Sequence, residues 1–303
     1  MSFRLRCLTA SLAILAVSPA CADPFFFSTG NPDGLIATAS RPDSAGRPEI
    51  ESADDFVLTQ NTRITGGSFT GLLTGGATLA SISQVVVEIY RVFPLDSDLG
   101  RTSGPPTFST AQVPTRVNSP SDDAFATRSS NASELVFVPA IMQMSFTANN
   151  SVLNGIHPMP TQFTGGDGAV TGQEVSFNLS FSSALELPAD HYFFVPQVQL
   201  TTGEFYWLSA PRPIVPPGVP FPTGSTDLQS WIRNAVLDPD WLRVGTDITH
   251  QGPFNAVFSL SGDTVAAVPE PETYALLLIG IAAMGGFARV NPPIAARPLS
   301  SSA

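Results

Sequence analysis

The chain has 303 residues, and only 13% of them are charged, against about 25% in an average globular protein. Its 24 glycines and 28 prolines disfavour a helix bundle or a coiled coil and suit short strands joined by turns. All 14 basic residues are arginine and the net charge is −11. No nucleic-acid partner is expected, because phosphate contacts need clustered positive charge.

The first 22 residues have the three parts of a secretory signal peptide. Two arginines stand near the start, an apolar segment runs from Leu8 to Val17, and Ala20 and Ala22 form a small-x-small cleavage site. We expect signal peptidase to remove residues 1–22 and the rest of the chain to be exported across the inner membrane. The alternatives are a buried N-terminal helix and a lipid anchor on Cys21.

Whether the exported chain contains cysteine depends on the removal of this signal peptide. Cys7 and Cys21 both lie in the segment that would be removed. The exported chain would therefore reach an oxidising compartment without a disulfide and would depend on a hydrophobic core.

Residues 23–262 are the expected exported domain, and strand patterns dominate them. The clearest pattern alternates apolar residues with serine and asparagine, which is the period of a half-buried strand. Its apolar members are Val175, Phe177, Leu179 and Phe181. Residues 85–89 alternate less cleanly and indicate a strand buried on both faces. Further strands are predicted at 54–59, 62–70, 134–138, 141–147 and 254–260.

Two neighbouring strands are expected to form a hairpin. The runs 191–200 and 204–209 flank Thr201-Thr202-Gly203, which has the composition of a turn. Pro196 predicts an edge position or a bulge in the first run. The best short helix is predicted from Asp227 to Val236.

Together these elements predict an all-β fold. We expect an antiparallel β-sandwich of jelly-roll-like order, with long loops rich in proline and serine at 94–133 and 210–226. No internal period of 20–50 residues indicates a repeat protein.

The sequence contains no familiar catalytic motif. It has no HExxH zinc motif, no G-x-S-x-G elbow, no phosphate-binding loop and no lysine. A glycosidase needs two carboxyl groups facing one sugar. Asp54 and Asp55 do not form such a pair, because neighbouring residues of a strand point to opposite faces.

Two groups of residues remain as candidates for ligand binding. Asp96 and Asp98 have the alternate oxygen ligands of a fragment of a calcium loop, although the later acidic ligands are missing. Calcium is therefore a weak cofactor candidate and an ordinary turn is the alternative. Trp207, Trp231 and Trp241 are candidates for stacking on sugar rings, with core packing as the alternative.

Residues 263–303 carry a second targeting signal, in addition to the signal peptide. Val268-Pro269-Glu270-Pro271 is followed by an apolar segment at 273–288. Sixteen helical residues span about 24 Å, which is short for a bilayer core of about 30 Å but usable where the bilayer thins. We expect one short transmembrane helix here.

The run V-P-E-P-E-T-Y-A-L-L-L-I-G resembles the PEP-CTERM sorting signal of exopolysaccharide-producing Gram-negative bacteria. This tail is also called an ice-binding protein C-terminal domain, a name that implies nothing about ice. The resemblance implies recognition by exosortase, a membrane sorting protease, and then placement in the cell envelope or extracellular matrix. The family usually has two or three basic residues directly after the helix, whereas here Arg289 stands alone and Arg297 follows later.

Three functions are consistent with these observations. The preferred one is a non-enzymatic exported protein of the envelope or matrix, associated with exopolysaccharide. The second is a carbohydrate-binding module that uses exposed tryptophans. The third is a secreted hydrolase with an unrecognised carboxylate pair.

Overall fold

Strands dominate the structure, which confirms the all-β prediction. The computed structural model describes residues 22–99, 117–156 and 164–265. Within those ranges the first sheet has nine strands: β1 (Pro24–Ser28), β2 (Ile36–Ala39), β4 (Thr62–Thr74), β7 (Leu135–Ala148), β8 (Asn150–Val152), β9 (Val170–Leu187), β11 (Glu204–Ala210), β14 (Asn255–Ala256) and β15 (Phe258–Thr264). The second has six: β3 (Ile50–Val57), β5 (Ile82–Arg91), β6 (Ala126–Ser129), β10 (His191–Leu200), β12 (Trp231–Asn234) and β13 (Leu242–Arg243).

Strand β4 is the central strand of the first sheet. Strand β9 pairs along one of its edges, while β15 and then β11 pair along the other. Strand β7 extends the sheet beyond β9, and β1 extends it beyond β15. All of these pairs are antiparallel, whereas β2 and β8 pair in parallel.

The two ends of the domain meet at one edge of this sheet. The first strand, β1, pairs with the last, β15, and Pro24 lies opposite Asp263. The sheet edge is therefore completed by residues that are 239 positions apart in the chain.

The second sheet runs in the order β13-β12-β3-β10-β5-β6. Residues 85–90 of β5 confirm the expectation of a strand buried on both faces, with Glu88 the one half-buried residue among them. The described ranges also contain two short helical turns, a 3-10 turn at Leu79–Ser81 and a π turn at Val244–Ile248. In the part of the chain that the structure describes, no helix has the length and hydropathy to cross a membrane.

One aromatic core lies between the two sheets. Phe194 of the second sheet stacks on Phe258 of the first, with ring centroids 5.1 Å apart and an interplanar angle of 9°. Phe194 also contacts Trp207 edge-on at 6.0 Å. The predicted alternation of β9 is confirmed, because Phe177 points into this core and stacks on Phe69 at 4.7 Å.

A glycine in β4 makes room for part of this core. A Cβ atom at Gly71 would overlap the ring of Phe205. That ring packs edge-on against Phe69 at 5.8 Å and against Phe177 at 5.6 Å. A larger residue at position 71 would displace Phe205 from both partners.

The predicted hairpin is wrong. Strand β10 pairs with β3 and β5 in the second sheet, whereas β11 pairs with β4, β2 and β14 in the first. The turn between them therefore carries the chain from one sheet to the other.

Pro196 lies where the pairing of β10 with β3 has ended. Phe194 still pairs with Asp54 of β3, whereas at position 196 the Oγ of Ser40 donates to the proline carbonyl at 2.6 Å. The position tolerates proline because the missing N–H would face the side where β3 no longer pairs.

The remaining sequence expectations have mixed outcomes. The predicted helix Asp227–Val236 is wrong, since β12 occupies its centre and pairs with β3. The strands predicted at 134–138 and 141–147 are one continuous strand, β7, with two register shifts.

Strand β6 lies inside the loop expected at 94–133. The jelly-roll order stays a prediction, and both the signal peptide and the segment 273–288 lie outside the described residues.

We expect Phe194→Ala to lower the free energy of unfolding by about 3–5 kcal/mol, because it leaves a cavity under Phe258 and Trp207. Urea denaturation followed by circular dichroism measures the change. The control is Phe125→Ala, which removes a phenylalanine that is 38% exposed. Equal losses in the two variants would contradict a core centred on Phe194.

Candidate functional site

The three tryptophans proposed for sugar stacking are buried, which corrects the expectation of exposed rings. Trp207 and Trp231 are each 1% exposed and Trp241 is 0% exposed. The indole N–H of Trp207 donates to the Val257 carbonyl at 2.7 Å, and that of Trp241 donates to the Ser121 carbonyl at 3.0 Å. Their rings fill core space between or beside the sheets and are almost fully covered by protein, although Trp231 borders a pocket of about 250 Å³.

The loop proposed for calcium has its first carboxylate engaged by an arginine. Asp96 accepts from the Nε of Arg91 at 2.6 Å and also from its terminal nitrogen. The backbone N–H of Asp98 donates to Oδ2 of Asp122 at 2.9 Å. A calcium ion bound here would first have to displace the guanidinium. Among the described residues, no three His, Cys, Asp or Glu side chains form a group that could hold a metal ion.

The outer face of the second sheet carries a denser polar cluster. Alternation places Glu51 of β3, Glu88 and Tyr90 of β5, and Arg233 of β12 on this face. Register then brings them together, because Arg233 lies directly opposite Glu51 across the β12–β3 pair. We call these four residues the acid–arginine network.

Hydrogen bonds link Glu51, Tyr90 and Arg233 within this network. The Tyr90 hydroxyl donates to Oε1 of Glu51 at 2.7 Å, and Nε of Arg233 pairs with the other oxygen of the same carboxylate. A terminal nitrogen of Arg233 donates to the Tyr90 hydroxyl oxygen at 2.8 Å. Arg233 also forms an ion pair with Asp238 at 2.9 Å. Both oxygens of Glu51 therefore have charged or hydroxyl partners.

An aromatic ring covers the arginine. The guanidinium carbon of Arg233 lies 4.4 Å from the centre of the Trp241 ring and 5.2 Å from that of Tyr90. The two rings meet edge-on at 5.4 Å. A buried cation gains from such faces because the ring quadrupole replaces part of its hydration. Trp241 therefore serves the network from inside the protein.

Burial changes the protonation of the acids. Burial first, and then the negative charge of Glu51, raises the pKa of Glu88 to about 8. Its Oε2 lies 3.2 Å from the Tyr90 hydroxyl. Burial also raises the pKa of the adjacent Glu49, although a hydrogen bond from Gln197 opposes this effect. At neutral pH, Glu88 is therefore mostly protonated beside the Glu51 carboxylate.

Asp54 and Asp55 point to opposite faces of β3, as strand geometry predicts. Asp54 faces inward, where the N–H of Ala256 donates to its Oδ2 at 2.8 Å and links the two sheets. Asp55 faces outward, where its Oδ2 accepts from the N–H of Leu228 at 3.0 Å and lies 2.5 Å from Nε2 of His191.

Both aspartates are buried away from solvent, and burial raises the pKa of each. For Asp54 the neighbouring Asp55 raises the pKa further, whereas for Asp55 the hydrogen bond with His191 opposes the increase. Both acids therefore act as hydrogen-bond acceptors inside the protein.

Sequence reasoning missed the acid–arginine network. Its available signal was local: Glu51 and Glu88 are charged residues within runs whose neighbours are apolar or buried. The partner, Arg233, lies 182 positions from Glu51 in the chain, so no local pattern joins them.

Comparison with known proteins concerns the end of the chain. Residues 267–290 match the family model described as a PEP-CTERM protein-sorting motif, which confirms the resemblance carried by Val268, Pro269, Glu270 and Pro271. The motif implies export, transient anchoring in the membrane by the C-terminal tail, and processing by an exosortase. These residues, like Ala20 and Ala22 of the signal peptide, lie outside the described ranges. No curated protein and no solved structure matches the chain.

We expect Arg233→Met to lower the free energy of unfolding by about 3–5 kcal/mol, because it leaves Glu51 buried without its charged partner. Urea denaturation at neutral pH measures the loss. Arg63→Met is the matched control, since Arg63 pairs with Glu186 at 3.2 Å where both side chains are more than half exposed. The control should change stability by less than about 1 kcal/mol. Similar losses in both variants would contradict the network.

The raised pKa of Glu88 predicts that stability falls as the pH rises. Between its ordinary pKa of 4.5 and its folded pKa of about 8, the folded state binds more proton than the unfolded state. The contribution is complete below pH 4.5 and is lost as the pH rises through about 8. Glu88→Gln should flatten this dependence in urea titrations from pH 5 to 9, whereas Glu186→Gln should leave it as in the wild type. A wild-type slope in Glu88→Gln would rule out the assignment.

Proposed function

We propose that this chain is a non-enzymatic protein of the cell envelope or extracellular matrix, exported, sorted through its PEP-CTERM signal and associated with exopolysaccharide. The match at 267–290 carries the proposal, because such a motif directs a protein to the membrane for exosortase processing. The signal-peptide pattern at 1–22 supports it, since sorting at the far side of the inner membrane requires export first.

The chemistry of the domain supports the non-enzymatic part of the proposal. In the acid–arginine network, each oxygen of Glu51 already has a partner and the residue is buried. Asp54 is fully buried between the sheets. Carboxyl groups that act on a glycosidic bond must reach the sugar, and these acids have no path to one without rearrangement of the fold.

The alternative is a secreted hydrolase whose carboxylate pair lies elsewhere in the chain. Turnover of any polymer in a broad panel of glycans and esters would favour it. The tryptophan-based binding module is not proposed, because all three rings are buried.

The sorting proposal is tested by the intact mass of the protein recovered from its native host, in both membrane and extracellular fractions. We expect the extracellular species to begin at Asp23 and to end near Pro269. A double variant, Pro269→Ala with Pro271→Ala, should remain in the membrane fraction and extend to Ala303.

The control replaces two prolines beyond the apolar segment, Pro292 and Pro293, with alanine. This variant should be processed as the wild type is. A wild-type protein found only in the membrane with an intact C-terminus would overturn the sorting step. Processing of the Pro269/Pro271 variant would show that the motif is not the signal.

A further inference from the structure

The outer face of the first sheet carries a regular set of hydroxyl and amide side chains. Pairing places Ser28, Ser259, Ser68 and Asn178 in one row across β1, β15, β4 and β9. In a sheet, neighbouring strands are about 4.8 Å apart, so such a row repeats polar groups at that spacing. Two members of the row bond to each other, with Ser68 Oγ and Ser259 Oγ 2.7 Å apart.

A pocket of about 310 Å³ opens on this face. Its walls include Ser28, Ser68, Thr70, Ser176 and Glu174. The volume is at the lower end of the range for small-molecule sites, about 300–1,000 Å³.

Glu174 is the feature that points to a ligand. The residue is 5% exposed, and its Oε2 has no hydrogen-bond partner among the described residues. The side chain receives a hydrogen bond from Gln143, and burial raises its pKa. A buried oxygen left without a partner is costly, and a hydroxyl donor from a ligand would satisfy it.

Apolar side chains flank the hydroxyl-rich wall. Phe26 is 58% exposed and Met142 is 60% exposed, and both line the pocket. Sugar rings have an apolar face of C–H groups and an edge of hydroxyl groups. An open aromatic ring beside serine hydroxyls and an acceptor carboxyl complements both parts of such a ring.

The charge of the pocket selects against acidic sugars. Among the described residues that line it, Glu174 is the one ionisable residue, and none is an arginine that could bind a uronate or a sulfate. The chain as a whole has a net charge of −11 and repels anionic polymers.

We propose that this pocket binds uncharged sugar units of a polysaccharide, with Glu174 accepting a sugar hydroxyl and Phe26 stacking on the ring. The inference rests on the proposed function, because it gives the polysaccharide association a site and a chemical class. The buried tryptophans have no part in it.

The test uses the processed protein recovered from its native host and isothermal titration calorimetry. The probes are cellohexaose, maltohexaose, isomaltohexaose and the neutral fraction of the host's own matrix polysaccharide, with hexagalacturonate as the charged comparison. We expect binding to at least one neutral probe and none to hexagalacturonate. Phe26→Ala should weaken binding about three- to tenfold, and Glu174→Gln about tenfold.

Two control variants separate the pocket from general effects of mutation. Phe125→Ala removes an exposed phenylalanine that contacts Arg91 of the second sheet, and Ser182→Ala removes an exposed serine of β9 outside the pocket. Both should bind as the wild type does. Urea midpoints equal to that of the wild type show that Phe26→Ala and Glu174→Gln remain folded.

The outcomes distinguish the site from the function. If the wild type binds a neutral polymer and both pocket variants bind it equally well, the pocket is wrong and the polysaccharide association stands. Preference for hexagalacturonate would overturn the uncharged class. If no probe binds, both the pocket and the association fail, while export and sorting are judged by the mass measurement alone.

Discussion

No covalent cross-link is available to the domain, because its sequence has no cysteine after position 21. Burial of apolar surface between two sheets must therefore hold the fold together. Phe194 and Phe258 meet in the middle of that core, one ring from each sheet. Trp207 contacts both rings, Phe69 contacts Phe194 and stacks on Phe177, and the missing side chain of Gly71 leaves space for a further ring. A polar group buried inside this frame is costly where it lacks a partner.

The buried acids are accommodated in different ways. Glu51 is matched by Arg233 and Tyr90, which bond to both of its oxygens. Glu88 instead retains a proton, because burial and the neighbouring carboxylate disfavour a second negative charge. Asp54 uses its carboxyl group to accept a backbone N–H from the opposite sheet. The network therefore contributes to the architecture.

Local patterns predicted the main strands, although the helix predicted from Asp227 to Val236 is wrong. The alternation in β9 identified both its strand and its buried face, since both depend on neighbouring residues alone. Local patterns do not determine which strand a given strand pairs with. The runs that became β10 and β11 are separated by three residues, yet they join different sheets. Sugar stacking by Trp207 was likewise not borne out, because its strand is covered on both sides. The pocket near Glu174 combines residues of β1, β4, β7, β9 and β15, so only the folded chain brings them together.

The pairing of β1 with β15 has a consequence for the order of events during secretion. A chain that crosses a membrane from its N-terminus delivers Pro24 first and Asp263 almost last, yet these two residues lie opposite each other in the sheet. Long-range pairing of this kind cannot form until both partners are present. Completion of the sheet edge must therefore wait until nearly the whole domain has emerged. The Pro-Glu-Pro motif at 269–271 follows only five residues after β15 ends, so the finished domain and the sorting signal become available almost together.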